Sequence, residues 1–237
     1  MKLENAVVLV TGANRGLGRE FARQALAAGA RKVYAGARDP ASVTLPGVTP
    51  VRLDVTDSGQ VARAAAECGD VTLVVNNAGI ARLGRVLDPG SLDALHAMFD
   101  TNVLGILRMG QAFAPVLAKN GGGALLNVLS VVSWISPPNF GAYATSKAAA
   151  WNLTNALRGE LREQGTQVLG LHVGFIDTDL TQGIDAPKHT PGMVVERAYA
   201  ALAQDRDEVL IDELSQQVRQ GLAAEPGLYL RADFARS

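Results

Sequence analysis

Tyr143 and Lys147 stand four residues apart in Phe140-Gly141-Ala142-Tyr143-Ala144-Thr145-Ser146-Lys147. The alanines there, with Leu153, Leu157 and Leu161 further on, predict a helix from about Ala142. Four residues make a little over one turn, so phenol and ammonium share a face. A phenol titrates near ~10 and is a poor acid or base at neutral pH. A cation held beside it favours the phenolate and lowers that value. A tyrosine tuned in this way can donate a proton to a reacting oxygen or take one from it. Taken alone, the pair is better explained by chance, because both residues are common and i,i+4 pairs are frequent.

The elements that must position the pair begin at the N-terminus. Ala6-Val7-Val8-Leu9-Val10 is a continuous apolar run, the pattern of a parallel strand buried on both faces. It breaks at Thr11-Gly12-Ala13-Asn14-Arg15-Gly16-Leu17-Gly18 and resumes as a helix through Phe21 and Leu26. Glycines there permit a tight turn and a close backbone approach, and the helix N-terminus offers free N–H groups to a pyrophosphate. A glycine-rich strand–helix turn with no ligand is the alternative. A second strand, Lys32-Val33-Tyr34-Ala35-Gly36, leads to Ala37, Arg38 and Asp39. The side chain that meets an adenine-ribose 2′-oxygen is expected about 20 residues after the glycines. A small residue and a guanidinium suit a 2′-phosphate, which a carboxylate would repel. Asp39 works against that reading, Arg15 is a second candidate for the same phosphate, and Arg38 read alone is an ordinary solvated loop charge.

A third strand is expected over 51–55, containing Asp54 and Val55, and a fourth over 71–75, running into Asn76-Asn77-Ala78-Gly79. Polar residues directly after buried strands lie at the carboxyl edge, where open α/β sheets bind ligands. The alternative is a turn held by asparagine side chains. Residues 91–119 read as one long helix with Asn102, a mediocre helix former, in its middle. Fifth, sixth and seventh strands are expected at 124–129, with Ser130 at the end, at 168–173, breaking at Gly174, and at 208–211. Strand and helix alternate without a composition shift or repeat, which predicts an α/β doubly wound parallel sheet in a single domain over 1–237. Its cofactor half covers about 1–125 and its catalytic and substrate half about 126–237.

Composition narrows the function classes. With 48% apolar residues the chain can build a full core, and a net charge of −1 without long basic runs suggests no nucleic-acid partner and no membrane anchor. The apolar start is far too short for a signal peptide or a membrane span, so a soluble cytoplasmic protein is expected. The lone Cys68 cannot form an internal disulfide. His96, His172 and His189 are scattered, so no metal centre is expected.

With these pieces side by side, the sequence resembles the single-domain short-chain dehydrogenase/reductase family over nearly its whole length. Thr-Gly-x-x-x-Gly-x-Gly at 11–18, Asn-Asn-Ala-Gly at 76–79 and Tyr-x-x-x-Lys at 143–147 carry the resemblance, with Asn102 and with Ser130 thirteen residues before Tyr143. It implies a Rossmann-like seven-stranded sheet of order 3-2-1-4-5-6-7 and an NADP(H)-dependent carbonyl/alcohol oxidoreductase, NAD(H) being the less favoured cofactor. Tyr143 is then the proton donor or acceptor and Lys147 its partner, which also bonds the nicotinamide ribose. Ser130 orients the carbonyl; Ser133 is its rival, less well spaced. Asn102 marks a distorted point in its helix that helps hold a relay water. Gly12, Asn14, Arg15, Gly16, Leu17 and Gly18 line the pyrophosphate and adenosine side, with Ala37 and Arg38 at the 2′-phosphate. Asp54 meets the adenine amino group, with Val55 beside it in the cofactor set, while Asn76, Ala78 and Gly79 pass along the ribose. Gly174, Ile176 and Thr178 complete the nicotinamide side, Thr178 contacting the carboxamide.

Trp134, Ile135, Pro137, Phe140 and Leu180, with the loop to Gly192, are expected to border a pocket for an apolar or aromatic carbonyl compound, beside Ser130 and Tyr143. Two departures stand out. Val173-Gly174 replaces the usual Pro-Gly, and the chain end lacks the glycine-rich strand used in tetramer packing, so a monomer or homodimer is expected over a tetramer. An NADP(H)-binding sensor without turnover is the rival class, and the complete Asn102, Ser130, Tyr143 and Lys147 set argues against it. A sugar-nucleotide epimerase would need a larger C-terminal substrate domain.

Overall fold

Adjacent residues of the first strand, β1 (Val7–Thr11), feed two different cores, which is why its sequence shows no polar alternation. Val8 and Val10 pack with Phe21 and Ala25 of α1 (Gly16–Ala27) and with Val194 and Leu202 of α6 (Pro191–Ala203). Val7 and Leu9 pack on the opposite face, with Val61 of α2 (Ser58–Glu67), Phe113 of α4 (Gly105–Lys119) and Leu157 of α5 (Gly141–Glu160). The computed structural model describes residues 1–230; 231–237, the end of the span read as one domain, lie outside the described residues.

The remaining strands are β2 (Lys32–Ala37), β3 (Thr49–Arg52), β4 (Leu73–Asn76), β5 (Ala124–Val128), β6 (Gln167–His172) and β7 (Glu208–Leu210). They form one seven-stranded sheet in the order β3-β2-β1-β4-β5-β6-β7, as expected. Every pair is parallel, so all seven C-terminal ends share one edge. Two helices, α3 (Ser91–Phe99) and α7 (Glu213–Gly221), complete the layers. No helix among the described residues is long and apolar enough to cross a membrane.

Two elements differ from the sequence reading in instructive ways. The third strand stops at Arg52, because the Asp54 carboxylate accepts from the Thr56 N–H at 2.9 Å and the Thr56 hydroxyl at 2.7 Å, closing a turn where more strand was expected. The single helix read over 91–119 is interrupted by a π-turn, Asp100–Leu104, that separates α3 from α4 at the point where the family resemblance implied a distortion. Asn102 lies inside that turn, its amide bonded to the backbone of Ile80 in both directions at 2.9 Å.

Candidate active site

A cleft of about 1030 Å³ opens at the carboxyl edge of the sheet, where a doubly wound topology leaves a crevice between the strand ends. One wall is the glycine turn. Gly12 has φ +66°, a backbone that a side chain rarely adopts, and a Cβ at Gly18 would lie 2.2 Å from the Gly12 carbonyl oxygen. The chain can therefore lie flat against the cleft and present the N–H groups at the start of α1. Asn77 ties this turn to the loop after β4, donating to the carbonyls of Thr11 at 2.9 Å and Gly12 at 3.2 Å. The Thr11 hydroxyl accepts from the N–H groups of Asn77 and Ala78 at 3.0 and 2.9 Å.

At the mouth, Ala37 is buried at the end of β2 while Arg38 is exposed and makes no ion pair among the described residues. The Asp39 carboxylate is turned to its own backbone, where Oδ1 accepts from the Ala41 N–H at 3.1 Å and caps a short 3-10 turn. Arg15 crosses the cleft to Asp179 at 3.0 Å, both side chains exposed. A flat glycine cradle and helix N–H donors fit the pyrophosphate of a nicotinamide dinucleotide.

On the floor, Ser130 follows β5, Tyr143 lies in the first turn of α5, and Lys147 is one turn on. The Lys147 Nζ donates to the Val128 carbonyl at 2.8 Å and stands 5.8 Å from the centroid of the Tyr143 ring. Burial pushes the Tyr143 phenol up to about 12, with the neighbouring Ser130 hydroxyl acting in the opposite sense. Burial also pushes the Lys147 ammonium down to about 8. The direction at Tyr143 is the reverse of the sequence reading: taking both groups out of water penalises both charged forms. Tyr143 keeps part of its surface open to the cleft, so solvent there moderates the rise.

The cleft gathers Gly12, Asn14, Arg15, Gly16, Leu17, Gly18, Ala37, Arg38, Asp54, Val55, Ala78 and Gly79 with Ser130, Phe140, Tyr143, Lys147, Gly174, Ile176, Thr178 and Leu180 in one lining. Five of the expected site residues do not line it. Asn76 is buried behind the wall, where its Nδ2 donates to Asn127 at 2.8 Å, and Asn77 takes the place at the cleft. Strand register decided this, since Asn76 and Asn127 are paired neighbours of β4 and β5. Trp134 is turned inward by the 3-10 turn Val131–Ser133 and stacks on His172 with centroids 4.0 Å apart. Ile135 and Pro137 are likewise absent from the lining. Asn102 supports from behind, and donates to the Ser146 hydroxyl at 3.0 Å.

Asp179 and Phe175 were missed by sequence reading and do line the cleft; the ring of Phe175 lies 6.1 Å from that of Phe140. Their place in the turn-rich segment after Gly174 is the only signal that could have pointed to them.

Residues 6–189 match the family model described as short chain dehydrogenase. The chain is 31% identical to the Bos taurus "Dehydrogenase/reductase SDR family member 7B" over 268 aligned residues, covering 99% of this chain and 82% of that protein. It is 35% identical to a "Galactitol 2-dehydrogenase (L-tagatose-forming)" of Cereibacter sphaeroides, covering 76% and 75%. A solved short chain dehydrogenase from Burkholderia cenocepacia J2315, in complex with NADP, superposes with a TM-score of 0.91 at 40% identity, covering 95% of this chain and 96% of that one. The chain belongs to the short chain dehydrogenase/reductase family. It is an oxidoreductase that uses a nicotinamide dinucleotide to interconvert CH–OH and C=O groups.

Proposed function

We propose that this protein is an NADP(H)-dependent reductase of apolar or aromatic aldehydes and ketones. The observation that carries the cofactor preference is Arg38, an exposed guanidinium without an ion-pair partner among the described residues, beside a buried Ala37 and an Asp39 committed to its own turn. Arg15 is the second cation at that end. Phe140, Phe175, Leu83, Leu180 and Ile184 make the other end of the cleft largely apolar, which supports the substrate class. The complex of NADP with the Burkholderia relative supports the same reading.

The cofactor, when bound, supplies the hydride in reduction and receives it in oxidation. The chain's own residues manage the oxygen. Tyr143, protonated at neutral pH because burial raises its phenol, donates to the carbonyl oxygen as charge develops there. Ser130 orients that oxygen through its hydroxyl. With the cofactor bound, Lys147 would hold its nicotinamide ribose; its Nζ already ties down the end of β5 through the Val128 carbonyl. Asn102 keeps the π-turn open behind them. Among the lining residues, Thr178, Gly174 and Ile176 would border the nicotinamide end of a bound cofactor, and Asp54, Val55, Ala78 and Gly79 its adenosine end.

The test is an initial-rate screen of NADPH and NADH oxidation over aldehydes, ketones, quinones and steroids. Turnover is expected on apolar carbonyls, with kcat/KM favouring NADPH by at least about tenfold, the discrimination a charge-assisted phosphate contact supports. Equal efficiency with NADH would overturn the cofactor preference. Tight cofactor binding without oxidation across the panel would support the sensor reading instead.

A further inference from the structure

Asp212, just past β7, is a buried carboxyl group that the chemistry above does not use: its side chain is 3% exposed, so its partners show what it is for. Oδ1 accepts from the Ser215 N–H at 2.7 Å and caps α7. Capping needs one oxygen, and a serine or an asparagine would serve as well. The second oxygen, Oδ2, accepts from the Gly174 N–H at 2.6 Å and lies 3.4 Å from Nε2 of His189. The approach is close enough that a Cβ at Gly174 would lie 3.2 Å from that oxygen.

Gly174 and His189 are the two feet of one loop. The His189 N–H donates to the Phe175 carbonyl at 2.8 Å, and the Asp177 N–H donates to the His189 carbonyl at 2.9 Å, so the base of the loop is zipped. Inside it the Thr181 hydroxyl turns back to the carbonyls of Ile176 and Thr178. The result is a compact loop with a closed base, and Ile176, Thr178 and Leu180 carry it along the cleft. Its tie to the glycine turn, Arg15 with Asp179, is exposed and weak. A buried carboxyl oxygen on a backbone N–H is the stronger of the two anchors.

We propose that Asp212 is a positioning residue whose Oδ2 clamps the base of the 174–189 loop, and so sets where Gly174, Ile176 and Thr178 meet the nicotinamide. The second half rests on the reading that these residues border the nicotinamide end of the cofactor. Hydride transfer needs the nicotinamide and the carbonyl held at reacting distance, and small misplacements there are costly. Asp212 exerts its effect through the backbone of Gly174 and the ring of His189, without touching the reacting atoms.

Backbone hydrogen exchange and kinetics on the full chain separate the clamp from the cap. In the unaltered protein the Gly174 amide is expected to exchange at least about a hundredfold more slowly than an open peptide, and fast exchange there would overturn the clamp without any variant. D212S keeps a hydroxyl that can cap α7 but cannot serve Gly174 as well. In that variant, exchange over 174–177 should quicken by at least about tenfold. Its kcat should fall about tenfold at a temperature where circular dichroism shows it folded, while the dissociation constant for NADPH changes by less than about threefold. D212N, with one acceptor oxygen for two N–H groups, carries the same test if D212S does not fold. Unchanged exchange in a folded variant would overturn the clamp. Faster exchange with unaltered kcat would overturn the positioning role and leave the reading of the site intact. Normal kcat and NADPH affinity in T178V would overturn the reading that the loop borders the nicotinamide, and the positioning role with it, whatever the exchange data show of the clamp.

Discussion

The mouth and the floor of the cleft handle charge in opposite ways. At the mouth, Arg15 and Asp179 meet at 3.0 Å with both side chains about 70% exposed, and Arg38, another residue of the cleft lining, is exposed as well. An exposed pair of this kind contributes on the order of 0–1 kcal/mol, so it can be broken for a better partner at little cost. On the floor, Tyr143 and Lys147 are drawn out of water, and burial alone moves their proton affinities in opposite directions. The difference separates two tasks. Solvated charges can recognise a phosphate and release it, whereas a group that must hand over a proton gains from an environment that sets its protonation state.

That contrast can be broken most sharply at the floor. Replacing Tyr143 with Phe removes the proposed proton donor and should cut kcat by about a thousandfold, while NADPH binding, followed by fluorescence titration, changes little. Near-normal turnover in this variant would show that the floor does not do the chemistry.

The pH dependence sharpens the same point. Reduction needs the protonated phenol, which is the dominant form below about 12, whereas alcohol oxidation needs a Tyr143 able to accept a proton. The rate of oxidation should therefore climb with pH from neutral into the alkaline range, by at most about tenfold per unit, while reduction stays flat around neutrality. An oxidation rate independent of pH would argue that the phenol is not the titrating group.

At the mouth the effects should be smaller and confined to binding. Arg38→Ala should weaken NADPH by roughly 10- to 100-fold, the range of one charge-assisted contact, with NADH affected by less than about threefold. Smallest of all, Asp179→Asn releases Arg15 from an exposed pair and should change NADPH affinity by no more than about threefold in isothermal titration. A large effect there would mean that the pair holds the loop after β6 in place rather than resting on its surface.

Much of this molecule was legible in its residues. The apolar runs, the strand–helix alternation and the sheet order follow from local pattern, because a strand buried on both faces has to be apolar throughout. The spacing of Tyr143 from Lys147 places both on one helix face, and Gly12 and Gly18 stand where only glycine can lie so close to the backbone. The middle of the 91–119 helix carried a weaker signal, a single asparagine, and became a π-turn there.

Contacts across the sheet were another matter. Whether Asn76 or Asn77 reaches the cleft depended on the register of β4 against β5, and adjacent residues of a strand end face opposite ways. Trp134 looked like a pocket residue until the turn after Ser130 sent it into the core against His172. The protonation of Tyr143 followed the same logic. The sequence determined that a lysine would stand near a phenol, a local and periodic fact. Only the tertiary structure decided how much water the two would lose, and that loss sets the direction of both shifts.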